Sequence, residues 1–221
     1  IFAPGTHRHI RYNGSMGNIP VVLMLDTLRN TDTLLVYRSS DKWLRGVVMD
    51  NIESLLEELT NAYGPSGFEG PVRSIMQREF SPLCDYIETD GIGSLMARLG
   101  EDGTPRIMMA AHMDEVGLMV KFVTAEGYVR FQTLGGWLDQ ALINQRWVVL
   151  TRQGAVYGVT GVKTIHVMLP EERKQLFKRE QMFIDVGAAR REDAEERLGI
   201  RPGDPIAPDS RFTALNGGKL Y

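Results

Sequence analysis

The 221-residue sequence has little of several features that would mark a specialised class of protein. It contains one cysteine, Cys84, so neither an intrachain disulfide nor a cysteine-based zinc finger can form. Its net charge is only −3, with 25 basic and 28 acidic residues, which argues against a dedicated nucleic-acid-binding protein. No apolar run approaches the ~20 residues that a membrane-spanning helix needs. These absences predict a globular protein of the cytoplasm, with no nucleic-acid or membrane partner.

The first 48 residues differ in character from the rest of the chain. They carry six basic and three acidic residues, whereas acidic residues predominate after them. Turn-forming pairs such as Asn13-Gly14 and Gly17-Asn18 flank or interrupt their short apolar runs. Met49 then opens a more regular sequence. Residues 1–48 are therefore predicted to contribute little to the fold, either as an extension that is not native or as an unfamiliar N-terminal arm.

Residues 49–116 are predicted to form helices followed by a strand. Apolar residues at i, i+3, i+4 and i+7 indicate one face of a first helix; they are Ile52, Leu55, Leu56 and Leu59. Pro71 suits the first turn of a second helix. The continuous apolar run within 106–111 is typical of a strand buried on both faces. Two helices followed by such a strand predict a layered α/β domain.

After Gly117 the pattern changes to short strands separated by tight turns. Two hairpins are predicted, one from Leu118–Val123 with Tyr128–Gln132 and one from Arg146–Thr151 with Ala155–Thr160. This spacing predicts a small β-barrel or sandwich. Helices are predicted at 171–179 and 190–198. A last hairpin is predicted at 212–221, where its second strand is cut short, so we expect the chain to be a fragment.

The most specific local pattern is the run from His112 to Gly117. Functional side chains of open α/β sheets gather at the carboxyl ends of strands, and His112 directly follows the predicted strand. In an extended chain, His112 and Asp114 point to the same side. A carboxylate in that position can fix the tautomer of a metal-binding histidine and raise its basicity. The same spacing also suits a histidine that is paired with a carboxylate for structure alone, so both interpretations remain open.

The remaining histidines carry weaker signals. His166 lies in the β-rich region, far along the chain from His112, and a structural role or a subunit contact is the simpler interpretation. His7 and His9 form a His-x-His pair, but this pair falls in the N-terminal extension and is predicted to have no function. Trp137 is predicted to be a packing residue beside a tight turn.

Seven segments in matching order resemble the tetrahedral aminopeptidases over nearly all of residues 49–221. This family of dinuclear metallopeptidases is also labelled glutamyl aminopeptidase, cellulase M or endoglucanase. The segments are GPSGFE at 64–69, HMDEVG at 112–117, RFQTLGGW at 130–137, GVTGVK at 158–163 with His166, FIDVGA at 183–188, REDAE at 191–195 and GIRPGDP at 199–205.

The resemblance implies an α/β catalytic domain of the zinc-exopeptidase type, interrupted by a β-rich, barrel-like dimerisation domain. The catalytic domain would begin at 49–116 and resume at 209–221, with the dimerisation domain at 117–208. Such enzymes use two divalent metal ions, zinc or cobalt, to remove N-terminal residues from peptides, and they assemble into homo-oligomers up to a dodecamer. By position, His112 matches a metal ligand, and Asp114 matches the catalytic residue that orients it.

The sequence departs from the family because the other ligands and the general base find no match in residues 49–221. A catalytic zinc site needs three protein ligands, so we expect this chain alone to be inactive and free of metal. Two other functions remain as alternatives. An endoglucanase would need two carboxylates flanking the scissile bond, for which the adjacent pair Asp114 and Glu115 is poorly placed. A non-catalytic dimerisation module would need only the β-rich region.

Overall fold

The computed structural model describes residues 52–100, 105–215 and 219–220. The predictions for residues 1–48 lie outside these ranges. The described residues fall into two compact units. One contains residues 52–97 together with 110–215 and 219–220, and it holds the helices and nearly all of the strands. The other contains residues 98–100 and 105–109.

Two helices precede the first strands, as the sequence predicts. Helix α1 spans Ile52–Asn61, and helix α2 spans Gly70–Phe80 with a proline in its first turn. The helices contact each other, and Arg78 of α2 donates a hydrogen bond to Glu58 of α1 at 2.7 Å. Strands β1 (Tyr86–Thr89) and β2 (Leu95–Arg98) then form a two-stranded sheet.

The predicted strand at 106–111 is wrong. These residues lie in no helix or strand, and the side chains of Ile107, Met108 and Met109 are 64%, 90% and 74% exposed. An apolar run of this kind becomes a buried strand only where neighbouring strands and covering helices meet it. None of the described strands pairs with this segment. His112 therefore follows an irregular segment, not the end of a strand.

Six strands form a closed antiparallel barrel in the order β3-β4-β7-β6-β5-β8. The strands are β3 (Gly117–Val123), β4 (Val129–Leu134), β5 (Arg146–Thr151), β6 (Gly154–Gly161), β7 (Phe183–Asp185) and β8 (Pro205–Pro208). Closure leaves the barrel without a free sheet edge. Beyond it, β9 (Ala214–Leu215) pairs with β10 (Lys219–Leu220). The predicted α/β class with a barrel-like β-rich region is confirmed.

The interior of the barrel is filled by alternate residues of its strands. Leu118 and Val120 of β3 are buried two positions apart, but the next buried residue, Val123, comes three positions later. The pairing with β4 shifts between Val120 and Phe122, where a bulge inserts one extra residue. The bulge thus returns the apolar side chains of β3 to the interior.

One of the two helices predicted after Gly161 is replaced by shorter turns, and the other is present with π-helical geometry. Residues 171–179 form a 3-10 turn at Glu172–Lys174, and a second follows at Arg179–Gln181. Phe177 packs against the barrel core, but Leu176 beside it is exposed, so this segment has no apolar stripe at helical spacing. The helix predicted at 190–198 is present over 191–197, with π-helical geometry at Asp193–Arg197. None of the described helices combines the length and apolar character needed to cross a membrane.

Candidate metal-binding site

The candidate site is built around the imidazole of His112. Its Nδ1 atom lies 3.0 Å from the backbone carbonyl oxygen of Asp114 and 3.0 Å from the Oδ1 atom of the same residue. Both oxygens are acceptors, so a neutral imidazole fits this arrangement only when Nδ1 carries the proton and donates. The lone pair of the neutral ring is then on Nε2. Because the side chain is 85% exposed, Nε2 is open to an external group.

The Gly64–Gly70 loop holds the neighbouring backbone in place. Residues Gly64 and Pro65 are buried, and Pro65 forms a parallel bridge with Glu115. The backbone N–H of Glu115 donates to the Gly64 carbonyl at 2.9 Å. In return, the Gly64 N–H donates to the Oε1 atom of Glu115 at 3.0 Å. Residues 51 positions apart in sequence are thereby joined directly beside His112.

The environment of Glu115 affects the ionisation of its carboxyl group. Burial raises the pKa of Glu115 above its ordinary value, and the hydrogen bond from Gly64 opposes this by lowering it. By contrast, the carboxylate of Glu69 in the same loop accepts a hydrogen bond from the Gly67 N–H at 2.6 Å.

The described residues can supply one metal ligand but not a complete metal site. The imidazole of His112 has the tautomer and the orienting carboxylate that a metal-binding histidine needs. Within the described ranges, however, no group of three or more His, Cys, Asp or Glu side chains comes close enough to bind a metal ion. A catalytic zinc site requires three protein ligands. Any further ligands would have to come from outside these ranges.

The structure places the other residues singled out by sequence away from this pair. His166 lies in a 3-10 turn, Ile165–Val167, of the connection from β6 to β7, and it is exposed. Trp137 donates from its indole N–H to the Gly117 carbonyl at 3.1 Å and packs edge-on against Trp147. Burial raises the pKa of the Cys84 thiol. His7 and His9 lie outside the described residues.

A second polar cluster joins the end of α1 to the segment after β8. The guanidinium group of Arg211 donates to the Tyr63 hydroxyl at 3.1 Å and lies 3.4 Å from the carboxylate of Asp209. Beside it, the Phe212 N–H donates to the Asn61 side chain at 3.0 Å. Sequence reasoning missed this cluster and also the Gly64–Glu115 contact, because both join residues that are far apart in the chain.

The comparisons with known proteins point to a single family. The family model of the M42 glutamyl aminopeptidases matches residues 93–221. A lysyl aminopeptidase of Pyrococcus furiosus is 35% identical over 168 residues, which cover 73% of this chain and 47% of the relative. The chain thus spans about half the length of the curated relatives it matches.

Solved structures agree with this similarity. A TET aminopeptidase from the archaeon Thaumarchaeota archaeon SCGC AB-539-E09 is 42% identical, with a TM-score of 0.72 over 75% of this chain and 46% of that protein. The TET1 peptidase of Pyrococcus horikoshii, described as assembling into a tetrahedron or a large octahedral shell, is 35% identical with a TM-score of 0.66 over 74% of this chain and 48% of that protein.

The name endoglucanase is attached to a less similar structure. That protein, from Thermotoga maritima, is 29% identical, with a TM-score of 0.59 over 73% of this chain and 47% of its own length. The curated relative described above, by contrast, is named for peptidase activity.

Proposed function

The chain belongs to the M42 glutamyl aminopeptidase family, and on that premise we propose that the whole protein is a metal-dependent aminopeptidase. It would remove residues from the N-termini of peptides. The observation that carries the proposal is the pairing of His112 Nδ1 with Asp114 in an exposed side chain, an arrangement in which the neutral imidazole carries its lone pair on Nε2. Because the described residues hold only one of the ligands, the activity is proposed for the whole protein.

In this proposal His112 and Asp114 have separate roles. His112 binds a divalent metal ion through Nε2, and Asp114 fixes the tautomer and orientation of the ring by accepting from Nδ1. A pair of bound zinc or cobalt ions would supply Lewis-acid chemistry and an activated water. The remaining ligands and the general base would come from residues outside the described ranges.

We further propose that residues 117–208 are an inserted dimerisation domain. Strands β3 to β8 begin at Gly117 and end at Pro208, and their closed barrel has its own buried core. The flanking segments 49–116 and 209–221 would both belong to the catalytic domain. The contacts of Arg211 and Phe212 with the end of α1 support this assignment, because they join the two flanking segments directly.

A homo-oligomer is the proposed assembly, with the barrel as the subunit contact and a dodecamer as the full assembly. The tetrahedral or octahedral assembly described for the Pyrococcus horikoshii peptidase supports this proposal.

The endoglucanase alternative is less well supported by the site. A glycosidase needs two carboxyl groups that face one another across the scissile bond. Here the carboxylate of Asp114 is bonded to His112, and that of Glu115 is half-buried against Gly64. The two acidic side chains are therefore committed to different partners within the protein.

The proposal predicts that the purified whole protein releases N-terminal residues from short peptides and that a chelator abolishes this release. Activity should return when zinc or cobalt is added back, because the ligands remain in place. The same preparation should be assayed on soluble cellulose as a parallel control. Release of peptide residues that resists the chelator, or hydrolysis of cellulose without peptidase activity, would contradict the proposal.

A further inference from the structure

One peptide unit connects the Gly64 loop to His112. The carbonyl of Asp114 and the N–H of Glu115 belong to the same peptide group, whose atoms lie in one plane. At one edge of this group the Asp114 carbonyl accepts from His112 Nδ1 at 3.0 Å. At the opposite edge the Glu115 N–H donates to the Gly64 carbonyl at 2.9 Å. Because the group is rigid, fixing one side sets the direction of the other.

The side chain of Glu115 completes this attachment. Its Oε1 atom accepts from the Gly64 N–H at 3.0 Å, so Gly64 and Glu115 are joined by two hydrogen bonds of opposite direction. Gly64 also packs closely against α2. A Cβ atom built on it would lie 2.7 Å from Cγ2 of Val72, which is buried in α2. The peptide group beside His112 is thus anchored to a packed helix.

Burial of an acidic side chain at this place needs an explanation. Removing a carboxyl group from water is unfavourable unless hydrogen bonds compensate, and the half-buried carboxylate of Glu115 accepts one hydrogen bond, from the Gly64 N–H. An apolar side chain would fill the same space without that cost. The carboxylate of Glu115 is therefore better explained as a group that fixes the orientation of the Gly64 backbone than as one that stabilises the fold.

We propose that Glu115 is a positioning residue, which holds the Asp114–Glu115 peptide group so that His112 keeps its proton on Nδ1 and leaves Nε2 free. Its importance for catalysis rests on the proposed function, in which Nε2 binds a metal ion. The effect on the imidazole does not depend on that function and can be measured on the 221-residue chain.

The test uses variants of Glu115 that separate hydrogen bonding from charge. Glu115→Gln loses the charge but keeps an oxygen that can accept from Gly64, whereas Glu115→Asp keeps the charge but is too short to reach it. Glu115→Ala removes both. Glu69→Ala is the matched control, because it removes a carboxylate bonded to a backbone N–H in the same loop. Nitrogen-15 NMR of the neutral imidazole reports which ring nitrogen of His112 carries the proton.

We expect the Ala and Asp variants to show a new signal for protonated Nε2, whereas Glu115→Gln and Glu69→Ala keep the signals of the unmodified chain. In the whole protein, Glu115→Ala should weaken zinc binding about tenfold, at the lower end of the loss seen when groups that orient a metal ligand are removed. If the Glu115→Ala variant does not fold, the comparison of the Glu115→Asp and Glu115→Gln variants gives the same information.

Two results would overturn the proposal: an unchanged His112 tautomer in the Asp and Ala variants, or an equal change in the Glu69→Ala control. A tautomer that responds to Glu115, in a protein that proves to have no peptidase activity, would uphold the positioning role and refute only the proposed function.

Discussion

Replacement of His112 by alanine in the whole protein is expected to lower kcat/KM for the release of N-terminal residues by more than about 100-fold. Loss of a group that only orients a metal-binding histidine costs about 10- to 100-fold, and loss of the ligand itself should cost more. The bound metal should fall in parallel when it is measured by elemental analysis. The fold should be unaffected, because the side chain of His112 is 85% exposed and packs against no core.

His166→Ala provides the matched control for this prediction. It removes an exposed histidine from the turn after β6, which lies outside the proposed site. Activity and metal content should stay within twofold of the unmodified protein's values, as expected for a surface substitution. Equal losses in the two variants would contradict a specific role for His112, and so would full activity in His112→Ala.

Replacement of Trp147 by alanine is expected to destabilise the barrel by about 3–5 kcal/mol, the usual cost of truncating a buried aromatic side chain. Trp147 is fully buried in β5 and donates from its indole N–H to Thr160, which is also buried. It also packs edge-on against Trp137, with ring centroids 5.4 Å apart. The loss would remove a large share of the ~5–15 kcal/mol that typical domains have in total.

Urea denaturation followed by far-ultraviolet circular dichroism measures this effect without relying on the tryptophan that is removed. Leu176→Ala is the control, since that side chain is 75% exposed and should change the free energy of unfolding by less than about 0.5 kcal/mol. A Trp147→Ala variant as stable as Leu176→Ala would show that this interior does not hold the barrel together.

The parts of the fold that depend on neighbours in sequence could be predicted. Helix α1 follows from its apolar stripe, and the pairing of β5 with β6 follows from two apolar segments around a tight turn. The bulge in β3 could not be predicted. Its extra residue between Val120 and Phe122 is defined by the partner strand, which a local pattern does not contain.

The incorrect predictions at 106–111 and 171–179 have the same cause, because a local pattern does not contain the contacts that an element makes with the rest of the fold. The apolar run within 106–111 has the composition of a buried strand, but a strand also needs partners, and none of the described strands pairs with it. The 171–179 segment has the charges of a surface helix but no apolar face. Helices this short gain most of their stability from packing such a face against the rest of the protein.

The contacts of the candidate site also differ in whether a local sequence pattern can predict them. His112 and Asp114 are two residues apart, so their contact could be predicted from the geometry of an extended chain. The attachment of Glu115 to Gly64 joins residues 51 positions apart, and only the folded structure brings them together. The sequence also indicated the family through the order of its motifs, which the match of residues 93–221 confirms.

The most direct test of the proposed site is the position of the metal in a crystal structure of the whole protein. Anomalous diffraction at the zinc or cobalt absorption edge would locate each ion independently of any assumption about its ligands. The account predicts a metal ion about 2.0–2.1 Å from Nε2 of His112, the usual zinc–imidazole distance, with Nδ1 still bonded to Asp114. An active protein whose metal ions lie away from His112 would contradict it.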